Sequence, residues 1–176
     1  FKKYVFLTEA MNVVNERKRP YIVMEGMSDR FMATYKRPFE AKDIKVVMYA
    51  GGLHERYGLK KLTEAFMMLP QENFRLKLFG SGPFVEKLKT KDTKKDSRIQ
   101  YMGVAPNAEV VAAELDASLL VNPRPTHEEF TKYSFPSKNI EYMASGTPLL
   151  TTKLPGMPKE YYPYVFLIEN ESVEGY

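Results

Sequence analysis

Ser137, Lys138 and Glu141 are the residues whose types and spacing point most directly to chemistry. Spacings of three and four residues put them on one side of a helix's first turns. A helix start leaves backbone N–H groups unpaired, and a lysine beside them completes a site for an anion. A carboxylate one turn further in accepts hydrogen bonds from hydroxyl groups such as those of a sugar. Together the three suit a nucleotide diphosphate. Read without their surroundings, they are equally an ordinary solvated helix face.

The stretch that must position them is Ser134 to Thr152, SFPSKNIEYMASGTPLLTT. It reads as loop, helix and strand in succession. Pro136 and Ser137 suit a first helical turn, where a missing N–H costs nothing. Ile140, Met143 and Ala144 share a helical face. Gly146 is placed to cap the helix and Pro148 forbids its continuation. Leu149 to Thr152 then starts a strand.

Upstream, the pattern predicts a helix before Pro20 and a short strand at Tyr21–Met24, then a charged connector over 28–43 that contains Pro38. Strands follow at Ile44–Ala50, Phe74–Phe79, Ile99–Met102, Leu119–Asn122, Leu149–Thr152 and Val165–Ile168. Between them come a helix over 59–69 with Leu59, Leu62, Phe66 and Leu69 facing inward, a lysine-rich helix after Pro83, a polar turn at 90–97, and a helix capped by Asn107 that runs to about Asp116. This alternation predicts an α/β fold, a Rossmann-like parallel sheet with helices on both faces. Ligands of such sheets bind beyond the carboxyl ends of the strands.

Every glycine-bearing loop falls at that rim. Gly51-Gly52 lets backbone N–H groups approach phosphate, with Arg56 to add charge. Gly80-Ser81-Gly82 lets a base or ribose lie against the chain. Gly103-Val104 offers main-chain groups to a base edge. Each is also a plain turn when read alone, as His54 is also an ordinary loop histidine. The G-x-G-x-x-G fingerprint is absent. The long loop over 123–133 carries Glu128 and Glu129. Glu128 reads as a solvent-facing charge, and Glu129 stands beside Phe130, which would anchor the loop.

Composition narrows the classes. The chain has no cysteine and only His54 and His127, which excludes disulfides, thiolate chemistry and thiolate metal sites and argues against histidine-held zinc. No apolar run approaches the roughly 18–20 residues of a membrane-spanning helix. A net charge of +4 suits an anionic ligand or an anionic membrane surface and does not call for nucleic acid. The opening on Phe1, with no leader pattern, reads as an excerpt of a longer chain.

Four segments in order, YAGGLHERYGLKKLTEAF, LKLFGSGP, IQYMGVAPNAEV and SFPSKNIEYMASGTPLL, resemble the C-terminal, donor-binding half of GT-B retaining glycosyltransferases of the glycosyl transferases group 1 family. The resemblance covers about 43–168. It implies a nucleotide-sugar donor-binding domain over 43–176, cut short at its C-terminus. Residues 1–42 resemble the end of an N-terminal domain and the link from it. Glu141 stands where the family holds the donor ribose, and Arg56 is the best match to the basic residue of the diphosphate site. Gly52 stands where many members carry another arginine. Tyr133 stands where many carry a first glutamate, and the resemblance implies that Glu129 would serve in its place, across a longer loop, toward the donor sugar.

The resemblance implies transfer of a sugar from a nucleotide-sugar to an acceptor, such as a growing polysaccharide or lipid-linked glycan, with retention and without a metal or other cofactor. The acceptor would sit on the N-terminal domain, so the fragment alone would bind donor without transfer. The expected setting is cytoplasmic, at or near the inner face of a membrane. Two alternatives stay open: a nucleotide-sugar epimerase of the same fold, and a non-catalytic nucleotide-binding or interaction module.

Overall fold

The computed structural model describes residues 2–30, 32, 42–89 and 96–176. The expected connector around Pro38 and most of the polar turn at 90–97 lie outside them. Two short strands come first, β1 (Tyr4–Phe6) and β2 (Tyr21–Val23), paired in parallel as a sheet of their own. The helix expected before Pro20 is therefore a correction: β1 is followed by a 3₁₀ helix, Glu9–Val14, that buries none of its residues. Val13 and Val14 are β-branched and exposed, so a longer helix would gain neither propensity nor packing there.

The main sheet contains β3 (Lys45–Ala50), β4 (Phe74–Phe79), β5 (Ile99–Gly103), β6 (Leu119–Asn122), β7 (Leu149–Thr152) and β8 (Phe166–Ile168). Their order is β5-β4-β3-β6-β7-β8, and every neighbouring pair is parallel. Among the described residues four α-helices connect them: α1 (Leu59–Met68), α2 (Val85–Leu88), α3 (Asn107–Asp116) and α4 (Ser137–Ser145). This is the α/β architecture that the alternation predicts.

Consecutive strand residues divide between the two faces. Tyr49 and Val121 join Leu59, Leu62 and Phe66 of α1 and Leu88 of α2 in one core layer. Met48 and Leu120 join Tyr142 of α4, with Val110 and Ala113 of α3 beside them, in the other. Helices thus cover both faces, as the period-two alternation of strand side chains requires.

Three local expectations need correction. Leu69 lies past the end of α1, extended and 37% exposed, because Pro70 disfavours helical backbone in the residue before it. Asn107 is the first helical residue rather than the cap. Pro106 holds the cap position, and no side chain caps that helix start. The lysine-rich helix is the four residues of α2.

The helix that the sequence singles out starts after Pro136 and ends at Gly146, whose φ of 72° is the left-handed conformation a C-terminal glycine supplies. Its buried side differs from the apolar pattern. Asn139, Tyr142 and Ser145 are the buried residues, while Ile140, Met143 and Ala144 are only partly covered. The reason is what the helix packs on. It sits over strand ends, where main-chain groups need partners. The Tyr142 hydroxyl accepts the Ala50 N–H at 2.8 Å and donates to the Ala50 carbonyl at 3.2 Å. Asn122 donates to the Asn139 side-chain oxygen at 2.5 Å, and Asn139 donates to Thr151 Oγ1 at 3.3 Å. These bonds tie α4 to the ends of β3, β6 and β7.

Residues 4–26 reach the same region. Thr8 donates to the Lys132 carbonyl at 2.8 Å, and Gly26 lies under Ile140 of α4. Among the described residues no helix is long and apolar enough to cross a membrane.

Tyr142→Phe keeps the ring and removes the hydroxyl, which leaves the Ala50 N–H and carbonyl without that partner. Urea denaturation should show a loss of about 1–3 kcal/mol at unchanged m. A variant as stable as the parent would show that the hydroxyl does not hold α4 to β3.

Candidate functional site

The strand order reverses at β3 and β6, since successive strands leave β3 in opposite directions. A sheet of this kind leaves a crevice beyond the carboxyl ends at that point. A cleft of about 130 Å³ lies there, lined by Tyr49, Ala50, Gly51 and Gly52 from the end of β3, by Asn122 and Arg124 from the end of β6, and by Pro136, Ser137, Lys138 and Tyr142 from the start of α4. Gly51, Gly52, Ser137 and Lys138 are therefore brought together, as the sequence predicts.

Glycine is required along this rim. A Cβ on Gly80 would lie 1.9 Å from the Gly51 carbonyl oxygen, and the Gly80 N–H reaches the Gly103 carbonyl at 2.8 Å. Gly80 thus holds the rim by close approach of backbones and does not line the cleft. The Tyr49 hydroxyl donates to the Gly52 carbonyl at 3.0 Å and fixes the turn from below. Burial pushes that hydroxyl's pKa up to about 12. Val104 follows β5 at the same edge, 75% exposed, away from the cleft lining.

Arg56 is exposed in the 3₁₀ turn Glu55–Tyr57, with its guanidinium 5.2 Å from the Tyr57 ring centroid and 5.7 Å from that of Phe130. Phe130 anchors the long loop by an edge-on contact with Tyr57. Glu129 lies beside it in the 3₁₀ helix Glu129–Lys132, exposed, and is not among the cleft-lining residues.

Two charged residues escaped the sequence reading. Arg124 lines the cleft and lies over the same two rings, 4.6 Å from Tyr57 and 5.4 Å from Phe130. Its Nε is buried without a hydrogen-bond partner, and it pairs with no acid among the described residues. Burial pulls its pKa below the ordinary arginine value, and the charge of Arg56 adds to that, while Tyr49 and Tyr57 act in the opposite sense. The guanidinium stays cationic at any ordinary pH. Its signal in the sequence is position: Asn122-Pro-Arg-Pro begins where β6 ends, at the rim where ligands bind.

The second is Glu114, on α3 and fully buried. It accepts from Lys138 Nζ at 3.2 Å, and the same ammonium lies 2.7 Å from Glu141. Burial raises the Glu114 acid to about 7, against the pull of Lys138 and with the repulsion of Glu141. Burial lowers the Lys138 ammonium, but the hydrogen bonds and charges of Glu141 and Glu114 outweigh it, so Lys138 stands above its ordinary value. Glu114 falls on the apolar face of α3, between Val110 and Ala117, which is how a sequence reading would find it. Glu141 is one turn behind the cleft, its side chain 20% exposed and held by Lys138. The pair forms in a mostly covered setting rather than on a solvated face.

The Glu114 shift has a stability consequence. Its folded pKa is raised, so stability is complete below its unfolded pKa and is lost as pH rises through about 7. Glu114→Gln mimics the neutral acid. Thermal or urea unfolding should find it nearly equal to the parent at pH 4 and more stable by about 1–3 kcal/mol at pH 8. Equal stability at both pH values would contradict the assignment.

Comparison with known proteins fits this geometry. The Putative colanic acid biosynthesis glycosyltransferase WcaL of Escherichia coli (strain K12) is 29% identical over 111 residues, which are 61% of this chain and 27% of that protein. Sucrose-phosphate synthase from Thermosynechococcus elongatus superposes with a TM-score of 0.72 at 18% identity, over 96% of this chain and 46% of its own. Anabaena Alr3699/HepE, solved in complex with UDP, gives 0.68 at 15% identity over 99% of this chain and 51% of its own. The chain spans about a quarter of the curated relative and about half of each of these two solved proteins. These likenesses show that the sheet is the α/β half of a GT-B fold. The sequence model described as Glycosyl transferases group 1 matches residues 44–176, and the chain belongs to that family.

Proposed function

We propose that residues 43–176 bind the nucleotide-sugar donor of a glycosyltransferase and that residues 1–42 lead to them from an acceptor-binding N-terminal domain. One observation carries the reading. The cleft at the strand-order reversal opens over the start of α4 and is lined by Lys138 and Arg124, with Arg56 on the rings that Arg124 covers. Family membership supports sugar transfer over the epimerase and module alternatives.

In this reading the diphosphate lies against the Gly51-Gly52 backbone, Ser137 and the first N–H groups of α4. Lys138 and Arg124 supply charge there, and Arg56 adds to it from the rim. Arg124 takes over the contact that many family members make from the position of Gly52. The ribose lies about one helical turn, ~5 Å, along α4, within reach of Glu141. Gly80 and Val104 border the base side, and Glu129 faces the donor sugar from the long loop. The leaving diphosphate's charge is met by the helix start and the basic side chains, so transfer needs no metal. The sugar is transferred with retention to a glycan or lipid-linked acceptor, in the cytoplasm and next to a membrane face.

Calorimetry tests the phosphate contacts with UDP, GDP and ADP. Lys138→Ala and Arg124→Ala should each weaken the best binder by about 1.5–3 kcal/mol, the range of charge-assisted hydrogen bonds. Unchanged affinity in both would remove the diphosphate from this cleft.

The ribose contact has a separate test. Glu141→Ala should cost about 1–3 kcal/mol for the ribonucleotide and clearly less for its 2′-deoxy counterpart, which lacks one of the two hydroxyls. Equal losses for the two would mean that Glu141 acts only through Lys138.

A further inference from the structure

Glu114 is a buried acid that borders the cleft without entering it. None of its side chain reaches solvent. Oε1 accepts from Lys138, and Oε2 has no hydrogen-bond partner. The Lys138 ammonium is shared with Glu141. Two carboxylates thus divide one cation and leave an excess negative charge that is closed off from water on the Glu114 side. Among the described residues, no other hydrogen bond or ion pair to the Glu114 carboxylate offsets that charge. From α4, Tyr142 faces it with its hydroxyl committed to Ala50. From the loop after α4, Thr147 donates to the Glu114 main-chain carbonyl, not to its carboxylate. Two residues on, at the same C-terminal end of α3, Lys42 is paired with Asp116.

We propose that Glu114 couples donor binding to proton uptake: as the diphosphate draws Lys138 into the cleft, a proton from solvent adds to the Glu114 carboxylate. The inference rests on the cleft being the diphosphate site. Its physics is a competition for one ammonium. A buried carboxylate that loses the Lys138 ammonium is strongly disfavoured as the charged form, and an arriving dianion repels it further. Lys138 turns to phosphate at low cost only when Glu114 is neutral. No bond other than O–H forms, and Glu114 never touches the nucleotide. It is a positioning residue that acts through Lys138. Its pKa of about 7 in the free protein puts the exchange in the neutral range.

The sign follows from linkage. The bound state holds more protons, so affinity falls as pH rises above 7. Titration calorimetry in HEPES and in Tris, whose ionisation heats differ, counts the protons. The probes are UDP-, GDP- and ADP-glucose, whose doubly esterified diphosphates do not titrate near neutrality. The best binder should take up about half a proton at pH 7.5 and lose about three- to fivefold in affinity from pH 7 to pH 8. Glu114→Gln should bind with no proton uptake and a flat pH profile. Lys138→Met, in which Glu114 is already neutral before binding, should lose the uptake as well. Binding by the parent protein without proton uptake overturns the coupling and leaves the donor site standing. Uptake that persists in Glu114→Gln overturns it too. Failure of all three sugar nucleotides to bind overturns the reading of the cleft, and the coupling with it.

Discussion

Everything at this site depends on how α4 is seated. A helix that crosses the carboxyl ends of parallel strands covers main-chain groups that have run out of sheet partners. Such groups are costly to leave unpaired. Tyr142 answers that constraint by bonding both main-chain groups of Ala50, and Asn139 adds side-chain bonds to Asn122 and Thr151. Three strand ends are thereby fixed to one helix. The first turn of α4 then points into the crevice that the strand order creates between β3 and β6. The fold supplies the crevice, and these polar contacts make it a site.

The charges are arranged unequally around that crevice. Arg56 and Arg124 share two aromatic faces and have no acidic partner among the described residues. Lys138 has two. An anion entering the cleft would meet arginines with no described acidic partner and a lysine already paired with two carboxylates. The Arg124 guanidinium lies within cation–π distance of the Tyr57 and Phe130 rings. In the proposed coupling, the release of Lys138 sets how the cleft responds to pH, while the arginines supply charge that no described acid competes for.

Much of the fold was legible because the strands are short runs rich in apolar or β-branched residues with sharp ends. FRLKLF, LLVN and LLTT have the bounds that the sequence suggests. Gly146 and Pro148 mark the end of α4 by backbone chemistry alone. Before Pro20 the reading failed, because Val5 and Phe6 pair with a strand that lies distant in sequence, and local periodicity does not report such pairing. At the site, Ser137, Lys138, Gly51 and Gly52 were legible from their place after strands or at a helix start. Arg124 and Glu114 were not. Arg124 is marked only by its place after β6 and Glu114 only by its place on the apolar face of α3, and packing is what sets the guanidinium over the Tyr57 and Phe130 rings and the carboxylate behind Lys138. The buried polar side of α4 was hidden for the same reason, since the apolar pattern of Ile140, Met143 and Ala144 drew attention to the other face.

The most direct measurement of the central claim is an amide NMR titration with a sugar nucleotide, which reports where on the chain the ligand sits. The account predicts shifts concentrated at Gly51–Leu53, Asn122–Arg124 and Ser137–Tyr142, around the cleft at the strand-order reversal. Shifts confined to the apolar groove between Ile140, Met143, Tyr161 and Phe166, or spread without a centre, would contradict it.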